Sequence, residues 1–242
     1  MLSIYCTYLL KDIATIQMES GSVLIVLLVL LSQFIGVGAN PTHLPPPYDK
    51  VDPLPFNPHG WFFDSNRIGL ERLIKIRQIK IVVEVGSWLG KSTRHIAKKL
   101  PEDGIVYAID HWRGSSNEDN SAFDMQNLYR QFLSNVIHAN LTHKIIPLRM
   151  SSLDAAKILK VIPDLVYVDA SHDFESVYSD LQAWFPFVKG HGILCGDDYY
   201  WGENLPVKHA VDLFAEENKL IVHDMGWFWY YEEKDLLPKK KA

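Results

Sequence analysis

From residue 59 onward, short apolar runs alternate with stretches in which apolar residues recur at helical spacing. The apolar runs predict strands at 79–85, 104–109, 144–149, 164–168 and 191–195, with 220–223 and 227–231 as a closing pair. The amphipathic stretches predict helices at 68–76, 92–100, 125–139, 152–159, 174–185 and 206–218. Strands that alternate with helices specify a parallel sheet wound on both sides. The predicted fold class is therefore α/β: a doubly wound, mostly parallel seven-stranded sheet with helices on both faces.

The chain ahead of this pattern has two parts. Residues 22–39 are almost wholly apolar and end in small residues, which is typical of a signal peptide or a signal anchor, so we expect residues 1–39 to direct export or membrane association. Residues 40–58 contain seven prolines, which disfavour helix and predict an extended linker. The folded domain is predicted at 59–242. An anchor would leave it facing the cytoplasm, and cleavage would export it.

Charge and cysteine content narrow the class of protein. The 242 residues carry a net charge of -5, and the dense basic run is confined to residues 239–241, so we expect no nucleic-acid partner. The two cysteines, Cys6 and Cys195, encode neither a disulfide framework nor a zinc site.

A glycine-rich turn follows the first strand, where the sequence reads from Glu84 through Gly86 and Gly90 to Lys91 and Ser92. Glycines there allow a tight turn and close approach of the backbone to a ligand at a helix N-terminus. A dinucleotide motif would need glycine at position 88, which is tryptophan, and a P-loop would need one more residue between its glycines.

The remaining pattern, E-x-G-x-x-x-G, resembles the first motif of the class I S-adenosylmethionine-dependent methyltransferases, whose fold is Rossmann-like. Asp110 ends the second strand about 20 residues later, where a carboxylate can accept hydrogen bonds from both ribose hydroxyls. Together the turn and the acid favour S-adenosylmethionine as the cofactor.

A closer resemblance extends over about residues 79–216 to methyltransferase family 24, the branch of the macrocin O-methyltransferases and cephalosporin-hydroxylase-like proteins. The matching stretches are VVEVGSWLGKST, YAIDHWRG and LVYVDASHDFESVYSDLQAWFPFVKGHGILCGDDY. His111 stands where that branch usually has threonine. The resemblance implies a cofactor site formed by Glu84, Gly86, Ser87, Gly90, Ser92, Asp110, His111, Ser152 and Asp169.

Acidic residues also follow the fourth and fifth strands. Asp169 closes one strand, and Asp197 and Asp198 close its neighbour, so three carboxylates are expected to converge. A divalent cation such as Mg²⁺ would relieve their repulsion. His172 follows Asp169 and is a candidate general base. The resemblance implies the same roles. The alternatives are a helix-capping or surface histidine and an Asp pair that caps a turn.

These features predict a Mg²⁺-dependent O-methyltransferase that acts on a hydroxyl of a small molecule such as a sugar or a polyphenol. One alternative is a P-loop-like nucleotide-binding protein, for which ATP would bind and S-adenosylmethionine would not. Another is a membrane-anchored, non-catalytic binding protein, because an exported domain would meet little of a cofactor made in the cytosol.

Overall fold

We describe residues 44–114, 121 and 123–233 of a computed structural model. The helices and strands alternate along the chain as the sequence predicts. In chain order they are α1 (Asp64–Arg77), β1 (Ile81–Val85), α2 (Lys91–Lys99), β2 (Ile105–Asp110), α3 (Leu128–His138), β3 (Ile145–Arg149), α4 (Ser152–Ile158), β4 (Leu165–Val168), α5 (Phe174–Val188), β5 (Ile193–Gly196), α6 (Pro206–Asn218), β6 (Leu220–Met225) and β7 (Phe228–Glu233).

The seven strands form one sheet in the order β3-β2-β1-β4-β5-β7-β6. Strands β1 to β5 are parallel, and β7 pairs antiparallel with both β5 and β6. Helices α1, α2 and α3 contribute to one apolar core against the sheet, while α4, α5 and α6 pack on β2, β4, β5 and β6. The predicted fold class, a doubly wound Rossmann-like sheet, is confirmed. Its strand order reverses between β1 and β4, where such sheets bind ligands.

Several predicted boundaries differ from the structure by a few residues, most clearly at α1 and α5. Helix α1 begins at Asp64 instead of 68, and it ends where Gln78 adopts the left-handed conformation (φ 54°), so strand β1 starts two residues later than predicted. Helix α5 continues through Pro186 to Val188, one turn further than predicted. Its last turn tolerates proline because apolar burial of Val188 outweighs one lost backbone hydrogen bond.

The segment ahead of α1 is extended, as its prolines predict, but it is packed on the domain. A compact unit begins at Pro47, earlier than the expected domain start at 59. Tyr48, in a short 3₁₀ helix, is only 1% exposed, and its hydroxyl donates to the Ile145 carbonyl oxygen at 2.9 Å. We call residues 47–61 the strap.

The predicted signal or anchor at 22–39 lies outside the described residues. Within the described part of the chain, no helix combines the length and the apolar character needed to cross a membrane.

The carboxyl ends of β1 and β4 are in unusually close contact. Gly86 follows β1 with φ 92°, and a Cβ atom built on it would lie 1.8 Å from the backbone oxygen of Asp169, the residue after β4. Only glycine permits this approach. The loop of residues 86–90, here the glycine loop, is therefore fixed directly beside the Asp169 backbone.

We predict that Gly86→Ala is far more destabilising than its matched control, Gly190→Ala. Both glycines have positive φ, but nothing lies within 4 Å of a Cβ at Gly190. Gly190→Ala should therefore cost only the conformational strain, about 1–2 kcal/mol. Gly86→Ala adds a clash with backbone and should cost roughly 3 kcal/mol or more. Urea unfolding of both variants measures the difference, and equal costs would contradict the close approach.

Candidate active site

A cavity of about 790 Å³ opens at the carboxyl ends of the central strands. This volume lies in the range of small-molecule sites. Of the residues predicted from the sequence, ten line it: Gly86, Ser87, Ser92, Asp110, His111, Ser152, Asp169, His172, Asp197 and Asp198. A second cavity, of about 800 Å³, lies near the amino end of β1 and is lined by α1, Lys80 and Lys99. None of the predicted site residues lines it.

The glycine loop forms the floor of the cavity ahead of α2. The Gly86 amide donates to the Ile109 carbonyl oxygen at 2.8 Å, and the Gly90 amide donates to that of Ser87 at 2.7 Å. Trp88 adopts φ 44°, a left-handed conformation that costs a tryptophan energy. The loop therefore needs contacts from its surroundings to keep this shape.

Glu84 supports this loop from below and does not line the cavity. It is fully buried, and its Oε2 accepts hydrogen bonds from Ser87 Oγ at 2.7 Å and from the Thr93 hydroxyl. Burial raises the pKa of Glu84, and the hydroxyls of Ser92, Thr93 and Ser87 lower it. Its position corresponds to a loop-stabilising role instead of the predicted direct contact with the cofactor.

Gly90 is likewise placed behind the cavity. It is the N-cap residue of α2 with φ 76°, and a Cβ there would meet the Phe132 ring at 2.9 Å. The glycine serves helix packing and the turn at this position.

Asp110 ends β2 at the cavity wall. Its Oδ2 accepts from the Trp88 amide at 2.9 Å, and its Oδ1 accepts from the Trp112 amide at 2.6 Å. Burial raises the pKa of the Asp110 carboxyl, and those two amides lower it. Each oxygen retains a lone pair, so the carboxylate can also accept from ligand hydroxyls. Its neighbour His111 lines the cavity with a half-exposed side chain.

Another part of the cavity contains a buried acid, Asp180, which the sequence did not single out, bonded to the predicted Ser152. The Ser152 hydroxyl donates to Asp180 Oδ1 and accepts from Trp184 Nε1 at 2.8 Å. Asp180 lines the cavity and is 6% exposed, and burial raises its pKa to about 6. One signal was available: Asp180 shares the apolar face of α5 with Val177 and Trp184.

Three side chains converge beside the glycine loop. One ligand atom each from Asp169, His172 and Asp198 lies within 4.8 Å of the others. His172 Nε2 is 2.9 Å from Asp198 Oδ2, and the Tyr167 hydroxyl donates to Asp169 Oδ2 at 3.2 Å. Burial raises the pKa of Asp169 well above its ordinary value, repulsion from Asp197 and Asp198 adds to this, and His172 opposes it.

Asp197 does not join this cluster, although the sequence predicts that it does. Its Oδ1 accepts from the Asp198 amide at 2.6 Å, Asp198 itself has φ 62°, and only Asp198 of the pair offers a ligand atom to the cluster. Burial and the charge of Asp198 raise the pKa of Asp197 to about 6, and the buried Asn66 lowers it. The convergent set is therefore two carboxylates and one imidazole instead of three carboxylates.

Aromatic side chains surround the mouth of the cavity near this cluster. The Phe63 and Trp227 rings lie 5.4 Å apart, and the Trp201 ring lies 4.7 Å from that of His172. These three and Trp61 all line the cavity and are each more than a third exposed. Several exposed aromatic rings around one cleft are typical of a ligand site.

Comparison with known proteins identifies the class. Residues 83–199 match the family model described as a methyltransferase domain, Methyltransf_24. This range contains the glycine loop, Asp110 and the Asp169 cluster. The chain is therefore a class I, S-adenosylmethionine-dependent methyltransferase. Within that class, residues 83–199 form a domain of methyltransferase family 24, as their motifs indicate, and the nucleotide-binding alternatives for the glycine turn are set aside.

Solved structures confirm the fold. The O-methyltransferase TomG of Streptomyces achromogenes, solved with S-adenosylmethionine, is 15% identical with a TM-score of 0.52, covering 71% of this chain and 79% of its own. An O-methyltransferase of Bacillus cereus, solved with S-adenosylhomocysteine, is also 15% identical with a TM-score of 0.52, covering 92% and 96%. No curated protein sequence matches the chain.

We predict that Asp180→Asn stabilises the protein, and more so at higher pH. The folded-state pKa of about 6 exceeds the ordinary 3.8, so Asp180 contributes stability below pH 4 that is lost as pH rises through 6. Asparagine cannot ionise, so the variant does not lose stability in this pH range, and its amide oxygen can still accept the hydrogen bond from Ser152. The stabilisation should grow by about 1 kcal/mol between pH 5 and pH 7, measured by urea unfolding. A stabilisation that does not vary with pH would contradict the raised pKa.

Proposed function

We propose that the protein is a Mg²⁺-dependent O-methyltransferase that transfers a methyl group to a hydroxyl of a small ring compound, such as a sugar or a polyphenol. The observation that carries this proposal is the convergence of Asp169, His172 and Asp198 within 4.8 Å in a cavity shared with the glycine loop. A proton acceptor can activate a hydroxyl for methyl transfer, and two carboxylates beside it can hold a divalent cation.

The cofactor fits the elements around the cavity. The glycine loop and the start of α2 present backbone amides, and the Asp110 carboxylate can accept from ribose hydroxyls. Ser152 and Asp180 form a polar wall suited to the adenine. S-adenosylmethionine would supply an electrophilic methyl group, and the role of these residues is to hold it in place.

The donor set also fits a divalent cation. Asp169 and Asp198 offer hard oxygen ligands, and burial, together with the charges of Asp197 and Asp198, raises the pKa of Asp169 well above its ordinary value. Mg²⁺ prefers oxygen, so the two carboxylates would hold it, leaving the imidazole for proton transfer. A bound cation would supply positive charge that lowers the pKa of an acceptor hydroxyl.

His172 is placed to take the hydroxyl proton. Its Nε2 lies 2.9 Å from Asp198 Oδ2, and the Trp201 ring packs against its imidazole, so two neighbours fix its orientation. Proton transfer from the acceptor to His172 makes the oxygen nucleophilic.

The surroundings of the cluster favour a ring-shaped acceptor without negative charge. Phe63, Trp201 and Trp227 offer ring faces for stacking of an aryl or sugar ring. Glu175 adds a further carboxylate to the lining, and the cationic Lys91 Nζ already donates to the Gly60 carbonyl oxygen at 2.7 Å. Repulsion from Glu175 and the acidic cluster would weaken binding of an anionic acceptor. A polyanionic substrate such as nucleic acid is disfavoured for the same reason.

The direct test is methyl transfer from S-adenosylmethionine to a panel of neutral sugars and polyphenols, with carboxylated polyphenols as comparison. The proposal expects an O-methylated product from a neutral acceptor. Methylation confined to nitrogen or carbon nucleophiles would refute it.

We predict that chelation with EDTA abolishes turnover, that added Mg²⁺ restores it, and that Asp198→Asn loses this response. The reason is that one of two carboxylate ligands is removed. The matched control is Asp154→Asn, an exposed acid at the start of α4 that does not line the cavity. Initial rates against Mg²⁺ concentration measure the effect. EDTA-resistant turnover would contradict the metal.

We predict that His172→Ala lowers kcat by roughly 10²- to 10⁴-fold, the usual contribution of a general base. The affinity for S-adenosylhomocysteine should stay within about twofold, because the cofactor is held by the glycine loop and Asp110. His143→Ala, at an exposed histidine of the α3–β3 loop, is the control. Steady-state rates and calorimetric titration separate the two effects. Unchanged kcat would assign His172 a purely structural role.

A further inference from the structure

We propose that the strap is a working part of the cofactor site: it holds the glycine loop in its binding conformation and thereby sets the affinity for S-adenosylmethionine. The strap, residues 47–61, lies ahead of the residues that match the methyltransferase family, 83–199. The inference rests on S-adenosylmethionine as cofactor and needs neither the acceptor class nor the metal. Three separate contacts between the strap and the loop support it.

The first contact runs through Asn135, a fully buried side chain of α3. Its Nδ2 donates to the Leu89 carbonyl oxygen in the glycine loop at 2.9 Å, and its Oδ1 accepts from the Asn57 amide in the strap at the same distance. One amide group thus joins the strap to the loop. Loss of the Leu89 carbonyl would leave the buried Nδ2 unsatisfied, which is costly, whereas Oδ1 also accepts from Gln131 Nε2 at 3.1 Å.

The second contact runs through Arg94 of α2. Its Nη1 donates to the same Leu89 carbonyl oxygen at 2.8 Å, and its guanidinium lies 5.2 Å from the centre of the Phe56 ring. The guanidinium of Arg94 is largely removed from water, and this burial lowers its pKa to about 10. The Phe56 ring compensates through a cation–π contact.

The third contact is made by the end of the strap. The Gly60 carbonyl oxygen accepts from Lys91 Nζ at 2.7 Å, and the Trp61 ring lies 6.0 Å from the Trp88 ring of the glycine loop. Gly60 and Trp61 also line the cavity. The Asn57 side chain directs this end, because its Oδ1 accepts from the His59 amide at 2.9 Å.

The strap is itself attached to α3, so it can act as a rigid support. Arg130 donates to the Asp52 carbonyl oxygen, Gln131 donates to that of Pro55, and the Leu54 amide donates to Ser134 Oγ. These bonds lie along successive turns of one helix. The strap therefore follows α3 from Asp52 to the glycine loop.

The glycine loop needs such a support because its conformation is unfavourable in isolation. Trp88 has φ 44°, and residues in this region cost of order 1 kcal/mol or more. When the competent loop is only partly populated, the apparent affinity for a ligand falls by that fraction. Loosening the strap should therefore weaken cofactor binding before it unfolds the domain.

The test is calorimetric titration of the full chain with S-adenosylhomocysteine for the double variant Phe56→Ala/Asn57→Ala. Neither residue lines the cavity, so direct ligand contacts are retained. We expect the Kd to rise roughly tenfold, since the variant loses the Phe56 ring against Arg94 and the hydrogen bond from the His59 amide to Asn57 Oδ1, while the Asn57 backbone amide is retained. Hydrogen exchange of the amides at 87–90 should become faster. Ile162→Ala, at a side chain that is 72% exposed before β4, is the control and should change neither.

A Kd within twofold of the unmodified protein, with unchanged exchange at 87–90, would overturn the proposal and leave the strap as a merely stabilising segment. If the double variant does not fold, Phe56→Leu keeps the apolar contact and removes the ring, and a rise in Kd of roughly threefold is then expected. The titration uses no acceptor and no metal ion. Failure of the proposed O-methylation would instead appear as absence of product with normal S-adenosylhomocysteine binding.

Discussion

The approach of Gly86 to the Asp169 backbone is the constraint on which the site depends. It joins the end of β1 to the end of β4, so the glycine loop and the Asp169 carboxylate share one wall of the cavity. Separate anchors would allow these two groups to move independently, and methyl transfer is sensitive to small changes in separation. Position 86 therefore requires glycine because two backbone segments touch there.

The loop and the Asp197–Asp198 turn are each supported from outside the central strands. Leu89 in the loop accepts hydrogen bonds from two side chains that also touch the strap. At the turn, the Trp229 indole of β7 donates to the Asp197 carbonyl oxygen at 2.9 Å. Supports from both ends of the chain thus meet at one cavity. A catalytic centre defined by residues 83–199 alone would lack both of them.

Most of the architecture could be predicted because it depends on periodicity, which the sequence contains directly. The strands, the order of helices and the residues at strand ends follow from it. The local conformation just beyond a strand does not. Asp198 takes a left-handed conformation, which aspartate tolerates but does not require, and only Asp198 of the pair joins Asp169 and His172. The packing of the strap on the domain was not predicted, for a related reason. Prolines exclude helix, but they do not reveal packing against a distant helix.

The rings around the cavity have a consequence for spectroscopy. Of the seven tryptophans, Trp61, Trp88, Trp201 and Trp227 line the ligand site, while Trp112, Trp184 and Trp229 are buried in the core. An indole that exchanges water for a ligand changes its emission, whereas a buried indole responds to unfolding. The natural fluorescence of this protein therefore separates occupancy of the cleft from integrity of the fold, without any added label.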